Sequence, residues 1–342
     1  MTEVAFTAVK VAAAIFFGVN MAGMQGWLER KQSAITQDRI GANRASIFGF
    51  ALWGMVNMIA DPLKMITKED FVRKGADKLF HPLAPMISMG FATFCLAALP
   101  FGGSVVVLGR TWSLQPLESS YGLPLVLAML SLGVHGVMMA GYAAGSNYGL
   151  LGALRGAAQM ISYEVCLAAS LAGAAFLYGT LDLQQSVLWQ GAHVWGIVVQ
   201  PLAFLLFLTA GAAETKRGPF DVPEGESEIV GYHVEYSGMK FGMFLITDFI
   251  ETTVIAGMIT TLFLGGWLIP GLDLPSMGAA GAVLMLASFS VKTIAMLVLM
   301  MQLRWTLPRF RFDQVLHLGW KNILPLALIN FLGTVWGVMA WR

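Results

Sequence analysis

Charge is what this sequence of 342 residues has least of: 21 Lys and Arg with 20 Asp and Glu make up only 12% of it. Soluble domains carry about 25% charged residues, so half of the usual solvating surface is missing. That excludes a soluble enzyme, a nucleic-acid binder and a disordered chain. Cysteine is almost absent too. Cys95 and Cys166 both lie inside apolar runs, so neither a disulfide frame nor a Cys-ligated cluster is readable. No CxxC, HExxH, glycine-rich phosphate loop or GxSxG stands in a usable context. The histidines show no pair spaced for axial ligation, and His135, alone in an apolar run, reads as a satisfied histidine inside a bundle. The amino end, Met1-Thr2-Glu3, lacks the basic region of a signal peptide, so the first apolar run is expected to stay in the mature protein.

What fills the chain instead is apolar. Hydrophobic residues make up 57% of it, and several runs exceed the ~18 residues that mark a membrane-crossing helix. The fold class read from this is an all-α polytopic membrane protein, a single membrane domain over 1–342 with about eight transmembrane helices. The expected spans are 4–28, 79–99, 122–144, 149–178, 193–213, 240–268, 279–303 and 322–341. A further apolar stretch, 47–66, is interrupted by Gly49, Gly54, Asn57, Asp61 and Lys64, and reads as an interfacial broken helix after the first span.

The positive-inside rule orients this scheme. Lys and Arg crowd the first loop (29–78), the fifth (214–240) and the seventh (304–321), and Arg155 follows the short third. The even-numbered loops contribute Arg110 alone. Odd loops are therefore expected on the cytoplasmic side, with both termini periplasmic.

The fifth loop is unusual in a second way. It carries Glu214, Asp221, Glu224, Glu226, Glu228 and Glu235, broken by Pro219, Pro223 and glycines that argue for turns rather than a helix. A solvated linker is the plain reading of an acidic loop. Here Phe220, Val222, Ile229, Tyr232 and Tyr236 interleave with the carboxylates, which a solvated linker does not need. Close-set, partly buried carboxylates repel one another, so some hold protons near neutral pH, as a proton relay requires. Inside the spans sit Arg155, Glu164, Asp248, Glu251 and Lys292. Ionisable groups at that depth are costly and point to function unless they cap helix ends or pair structurally. Helical spacing puts Arg155, Gln159, Ser162 and Tyr163 on one stripe with Glu164 opposite Arg155, and puts Asp248 and Glu251 on one face. The result is a buried polar path: Glu164, Glu214, Asp221, Glu226, Glu228, Asp248 and Glu251.

Four motifs, in order, carry a family likeness. They are Glu29-Arg30-Lys31 with Gln37-Asp38-Arg39-Ile40-Gly41-Ala42-Asn43-Arg44 and Ala60-Asp61-Pro62-Leu63-Lys64; Leu150 to Glu164; Glu214 to Lys240; and Arg304 to Gln314 with Leu318-Gly319-Trp320-Lys321. Across the whole chain the sequence resembles the quinone-site membrane subunit of respiratory complex I, the H-type subunit of NADH:quinone oxidoreductase. It departs from that pattern at Ala42, where Pro is usual, at Lys216, where Asn is usual, and in a longer 45–60 segment.

The resemblance implies a multi-pass subunit of the cell inner membrane and of a proton-translocating enzyme. No redox centre would be bound by this chain alone. Quinone would be the substrate, while NADH, flavin and iron–sulfur clusters would sit on partner subunits. Cluster-bearing peripheral subunits would cover the cytoplasmic loops, with small and antiporter-like membrane subunits beside the chain in the bilayer. Arg30, Arg39, Asp61, Lys64, Phe220 and Glu224 are expected to line the quinone site. A homologous membrane anchor of an energy-converting hydrogenase or ferredoxin-linked complex is the alternative of the same lineage. A stand-alone transporter using the buried carboxylates is the alternative of a different class.

Overall fold

A computed structural model describes residues 2–341 apart from 47, 48, 50, 51, 108, 109, 224, 226–228, 230 and 273. Helix α1 (Thr2–Thr36) is followed by a 3-10 turn (Leu52–Gly54), α2 (Asn57–Thr67) and α3 (Phe80–Ala98). A short antiparallel hairpin, β1 (Ser104–Val107) with β2 (Arg110–Ser113), leads to α4 (Gly122–Ala143) and α5 (Asn147–Tyr178). Then come α6 (Leu183–Ala192), α7 (Gly196–Val199), α8 (Pro201–Glu214) and α9 (Gly238–Phe263). The chain ends with α10 (Gly278–Thr306), α11 (Phe312–His317) and α12 (Leu324–Trp341), the last two joined through a π-helical turn. Among the described residues, seven helical segments are long and apolar enough to cross a membrane. The protein is therefore an all-α polytopic membrane protein, the hairpin being its only sheet among those residues.

The expected fifth span, 193–213, is not one helix. It splits at Gln200, whose φ of −131° and ψ of 59° leave the helical region. Pro201 is the cause: it has no N–H to donate and its ring disfavours a helical residue before it. At about 21 Å, α8 alone falls short of a ~30 Å hydrocarbon core, so it is not one of the seven long spans. The break is held by α12, where Gln200 Nε2 donates to Thr334 Oγ1 (2.8 Å) and Asn330 Nδ2 donates to Gln200 Oε1 (3.2 Å). Two other spans run longer than expected. The last continues helically from Phe312. At 35 residues α1 is about 52 Å long, more than a ~30 Å hydrocarbon core requires, and it carries Glu29 and Arg30 near its carboxyl end.

Helix α9 is the axis of the bundle. In its most apolar stretch 78% of residues are buried, against 11% for the last span, because α1, α3, α8 and α10 all pack on it. Helices α3 and α4 cross closely through Gly136, where an added Cβ would lie 2.8 Å from the Ser88 backbone nitrogen. Gly136→Val should force these helices apart and cost about 1–3 kcal/mol by overpacking. A lower thermal-inactivation temperature of the purified complex is the expected reading; unchanged inactivation would mean the crossing relaxes freely. His135 corrects the sequence expectation. It is exposed on the outer stripe of α4 with Leu132, Met138 and Tyr142, because the opposite stripe, with Gly133, Gly136 and Ala140, is the one the bundle covers.

The segment expected to be interfacial is partly described. Its helical part, α2, has no buried residue and carries Pro62. Before it, Gly54 adopts φ 86° and approaches so closely that a Cβ would sit 1.9 Å from the Ala42 carbonyl oxygen, so only glycine allows this turn to pack on the 41–44 loop. The Trp27 indole donates to the Trp53 carbonyl (3.1 Å) and ties the turn to α1.

Candidate functional site

The loops that follow α1, α4, α8 and α10 gather at one end of the bundle. Asp77 N bonds Ala143 O (3.0 Å), Phe71 N bonds Ser237 Oγ (3.2 Å), Lys240 pairs with Asp70 (2.8 Å) and Phe310 N bonds Pro219 O (3.1 Å). Most of the lysines and arginines lie at this end. The Arg155 stripe of α5 faces the same assembly. Gln159 Nε2 donates to the carbonyls of Ala213 (2.7 Å) and Phe220 (2.8 Å), Tyr163 Oη donates to Val315 O (2.9 Å), and Arg155 lies over the Phe312 ring. The stripe is thus the seam on which the acidic loop and the last span dock.

Two cavities open between these loops. The larger, about 470 Å³, lies between α1, α2 and α9. Phe241, Leu245, Ile246 and Phe249 of α9 give it an apolar wall, while Arg30, Asp61, Lys64 and Lys68 give it a charged one. Arg30 Nη2 donates to Asp61 Oδ2 (2.6 Å), and both side chains keep substantial exposure. The smaller cavity, about 240 Å³, is lined by Lys216, Arg217, Asp221, His233 and Asp248, and shares Glu29, Phe241, Leu245 and Phe249 with the first. One cavity is shaped for an amphipathic molecule with a polar head and an apolar body. The other opens onto buried ionisable groups.

Between the cavities stands a charge cluster. Glu29 accepts from Arg217 (3.0 Å) and also from Arg304, and the Arg217 guanidinium lies 4.0 Å from the centre of the Phe249 ring. Deeper in, Lys216 Nζ lies 2.9 Å from Asp248 Oδ1 and 3.6 Å from Glu251 Oε2. Asp248 and Glu251 therefore do share one face. Burial works against the Lys216 ammonium, but Asp248 and then Glu251 outweigh it and hold its pKa well above the ordinary lysine value. Asp221 accepts from Arg309 (2.7 Å). Burial pushes that carboxyl up to about 6 although Arg309 pulls the other way, so it changes protonation close to neutral pH.

The remaining expected residues are dispersed. Glu164, on α5, accepts from Ser131 of α4. Glu214 ends α8 fully buried, and neither carboxyl oxygen has a hydrogen-bond partner among the described residues. Its strongest charged neighbours are Glu251, then Glu164, then Lys216. Phe220 packs in the core, stacked on Phe310 at 5.3 Å, and lines neither cavity. Arg39 is exposed, bonded to Gln37 (2.8 Å), and lines neither cavity. Glu224, Glu226 and Glu228 lie outside the described residues. Sequence reasoning missed Glu29, Lys216, Arg217 and Arg304 as members of the site. The one available signal was the pair Lys216-Arg217 standing directly after an apolar run and among carboxylates.

A family model described as NADH dehydrogenase matches residues 9–335. The chain is 44% identical over 338 residues to the second H-type subunit of the NADH-quinone oxidoreductase of Geobacter sulfurreducens, covering 98% of each chain. It is 42% identical over 328 residues to the corresponding subunit of Thermomicrobium roseum (92% of each) and 36% identical over 331 residues to that of Flavobacterium psychrophilum (95% of each). Matching both the family model and these relatives over almost its whole length, the chain belongs to the family of H-type subunits of NADH-quinone oxidoreductase, the membrane subunits of an oxidoreductase complex.

Proposed function

We propose that this chain forms the membrane side of a quinone chamber and the first part of the proton path that couples quinone reduction to ion pumping. The observation that carries the reading is the pair of cavities sharing one wall. The larger offers apolar α9 side chains to a quinone's tail and the Arg30–Asp61 pair with Lys64 to its head. The smaller leads from that wall to Asp221, Lys216 and Asp248. Electrons would arrive from an iron–sulfur cluster on a partner subunit, NADH and flavin lying further out on the peripheral arm. What this chain's own residues do is bind the tail, orient the head and hold protons. Reduction of a quinone takes up two protons or leaves negative charge, and carboxyls beside it respond by changing their proton occupancy. Asp221 is suited to that step, and a relay through Glu214 to Glu164 or to the α9 face that Asp248 and Glu251 share would carry the response into the bilayer. Glu224, Glu226 and Glu228 belong to this proposal through the acidic loop's sequence.

In this reading the chain lies in the cell inner membrane with both termini periplasmic, and the end where the basic loops gather is cytoplasmic. Cluster-bearing subunits cover that end. Small membrane subunits and antiporter-like subunits cover the apolar outer faces, where Leu328, Ile329, Leu332 and Trp336 are exposed.

Arg30→Met tests the chamber. It keeps length and apolar bulk but removes the guanidinium from the cavity's charged wall. The KM for a short-chain quinone should rise about five- to tenfold with kcat little changed, the signature of lost binding rather than lost chemistry. NADH oxidation by ferricyanide, which bypasses the chamber, should stay normal. An unchanged KM would place the quinone elsewhere, and a parallel fall in both activities would mean that Arg30 serves assembly.

A further inference from the structure

Lys216 is a buried ammonium between two carboxylates of unequal distance. The backbone there adopts φ 53°, a left-handed conformation that a lysine rarely takes. That turn, directly after α8, sends the Lys216 side chain inward, while its neighbour Arg217 reaches Glu29. The Lys216 side chain is almost wholly enclosed. Around it stand Asp248 and Glu251 of α9, Glu214 at the end of α8 and Tyr232 of the acidic loop. One ammonium facing two carboxylates leaves one negative charge in excess. The shorter contact, 2.9 Å, commits Asp248 to the ion pair, whereas Glu251 at 3.6 Å is held more weakly. Glu251 is also the strongest charged neighbour of Glu214, which has no hydrogen-bond partner of its own among the described residues.

We propose that Lys216 is a positioning residue of the proton path, fixing Asp248 as a permanent anion so that Glu251 is the carboxyl that takes up and releases the proton. The transfer is a proton alone: it leaves the Glu251 carboxyl and arrives at the Glu214 carboxylate, and no electron moves. The proposal rests on the reading of α9 as part of the path. It goes beyond that reading by giving the two α9 carboxylates different tasks and by assigning a role to the buried Lys216 between them.

The test is a pair of double variants in the whole complex, Lys216→Gln/Asp248→Asn and Lys216→Gln/Glu251→Gln. The first removes the ammonium together with the carboxylate committed to it, leaves no unpaired buried cation, and keeps Glu251. Its proton pumping per quinone reduced, in proteoliposomes and normalised to assembled complex, should exceed that of the second variant at least fivefold. The second removes the exchanging carboxyl and should fall below about a tenth of wild type. The reverse order, or equal values for the two, would overturn the assignment. The single variants Asp248→Asn and Glu251→Gln test the underlying path separately. Wild-type pumping in both would remove α9 from the path altogether, whereas impaired singles with equal doubles would leave the path standing and reject only the division of labour. A lysine that merely supports folding would lower the amount of assembled complex in both doubles and leave the pumping ratio alone.

Discussion

Glu214→Gln should depress quinone reductase activity and proton translocation together by about a hundredfold, while leaving the complex assembled. The two halves of this result have separate causes. Gln has the shape of Glu and costs nothing in lost hydrogen bonds, because neither Glu214 oxygen has a partner among the described residues. What is lost is the ability to carry a proton at the one carboxyl that has both Glu251 and Glu164 among its charged neighbours. If electron transfer and pumping are tightly coupled, a block at this point stops both. The measurement is the two rates in proteoliposomes, divided by the amount of assembled complex. Wild-type values for both would take Glu214 out of the path, and full quinone reduction without pumping would show that it serves only the outward half of the transfer.

The second large effect concerns assembly. Glu29→Gln should cost about 3 kcal/mol, because it leaves two poorly exposed guanidiniums, Arg217 and Arg304, facing a neutral amide. Breaking such a pair is more damaging than never having built it, since the desolvated charges remain. The cluster joins α1, the start of the acidic loop and the end of α10, so its loss should loosen the wall between the two cavities. Faster thermal inactivation and a several-fold lower yield of assembled complex are expected, with Glu29→Asp in between. Normal yield and inactivation in Glu29→Gln would mean that water replaces the lost charge, and that the cluster is a surface feature.

These two residues show how unevenly the site was legible. Glu214 stood out because a carboxylate at the end of an apolar run is conspicuous in a hydropathy reading. Glu29 did not, since one acidic residue before a run of basic ones looks like ordinary interfacial charge. Its role depends on Arg217 and Arg304, which lie far off in sequence. Arg39 shows the reverse case. It belongs to the same basic loop as Arg30 and looked equivalent to it, yet α1 ends at Thr36, so Arg39 falls beyond the helix and turns to Gln37. Phe220 looked like a lining residue because it interrupts the carboxylates, but its ring completes a stack with Phe310 of the next loop.

By itself the sequence determined the all-α membrane-spanning class of the fold, the gathering of the basic loops at one end of the bundle, and the shared face of Asp248 and Glu251. Each follows from local rules: unsatisfied backbone cannot stand in hydrocarbon, and helical spacing is fixed at 3.6 residues per turn. The tertiary structure alone decided which charges meet. Lys216 closes on Asp248, Glu29 bridges two arginines, and Gln200 finds Asn330 and Thr334 at the break that Pro201 opens. All of these contacts join residues from different helices and loops, and attraction between charges or dipoles depends on a separation of a few ångströms that only packing sets.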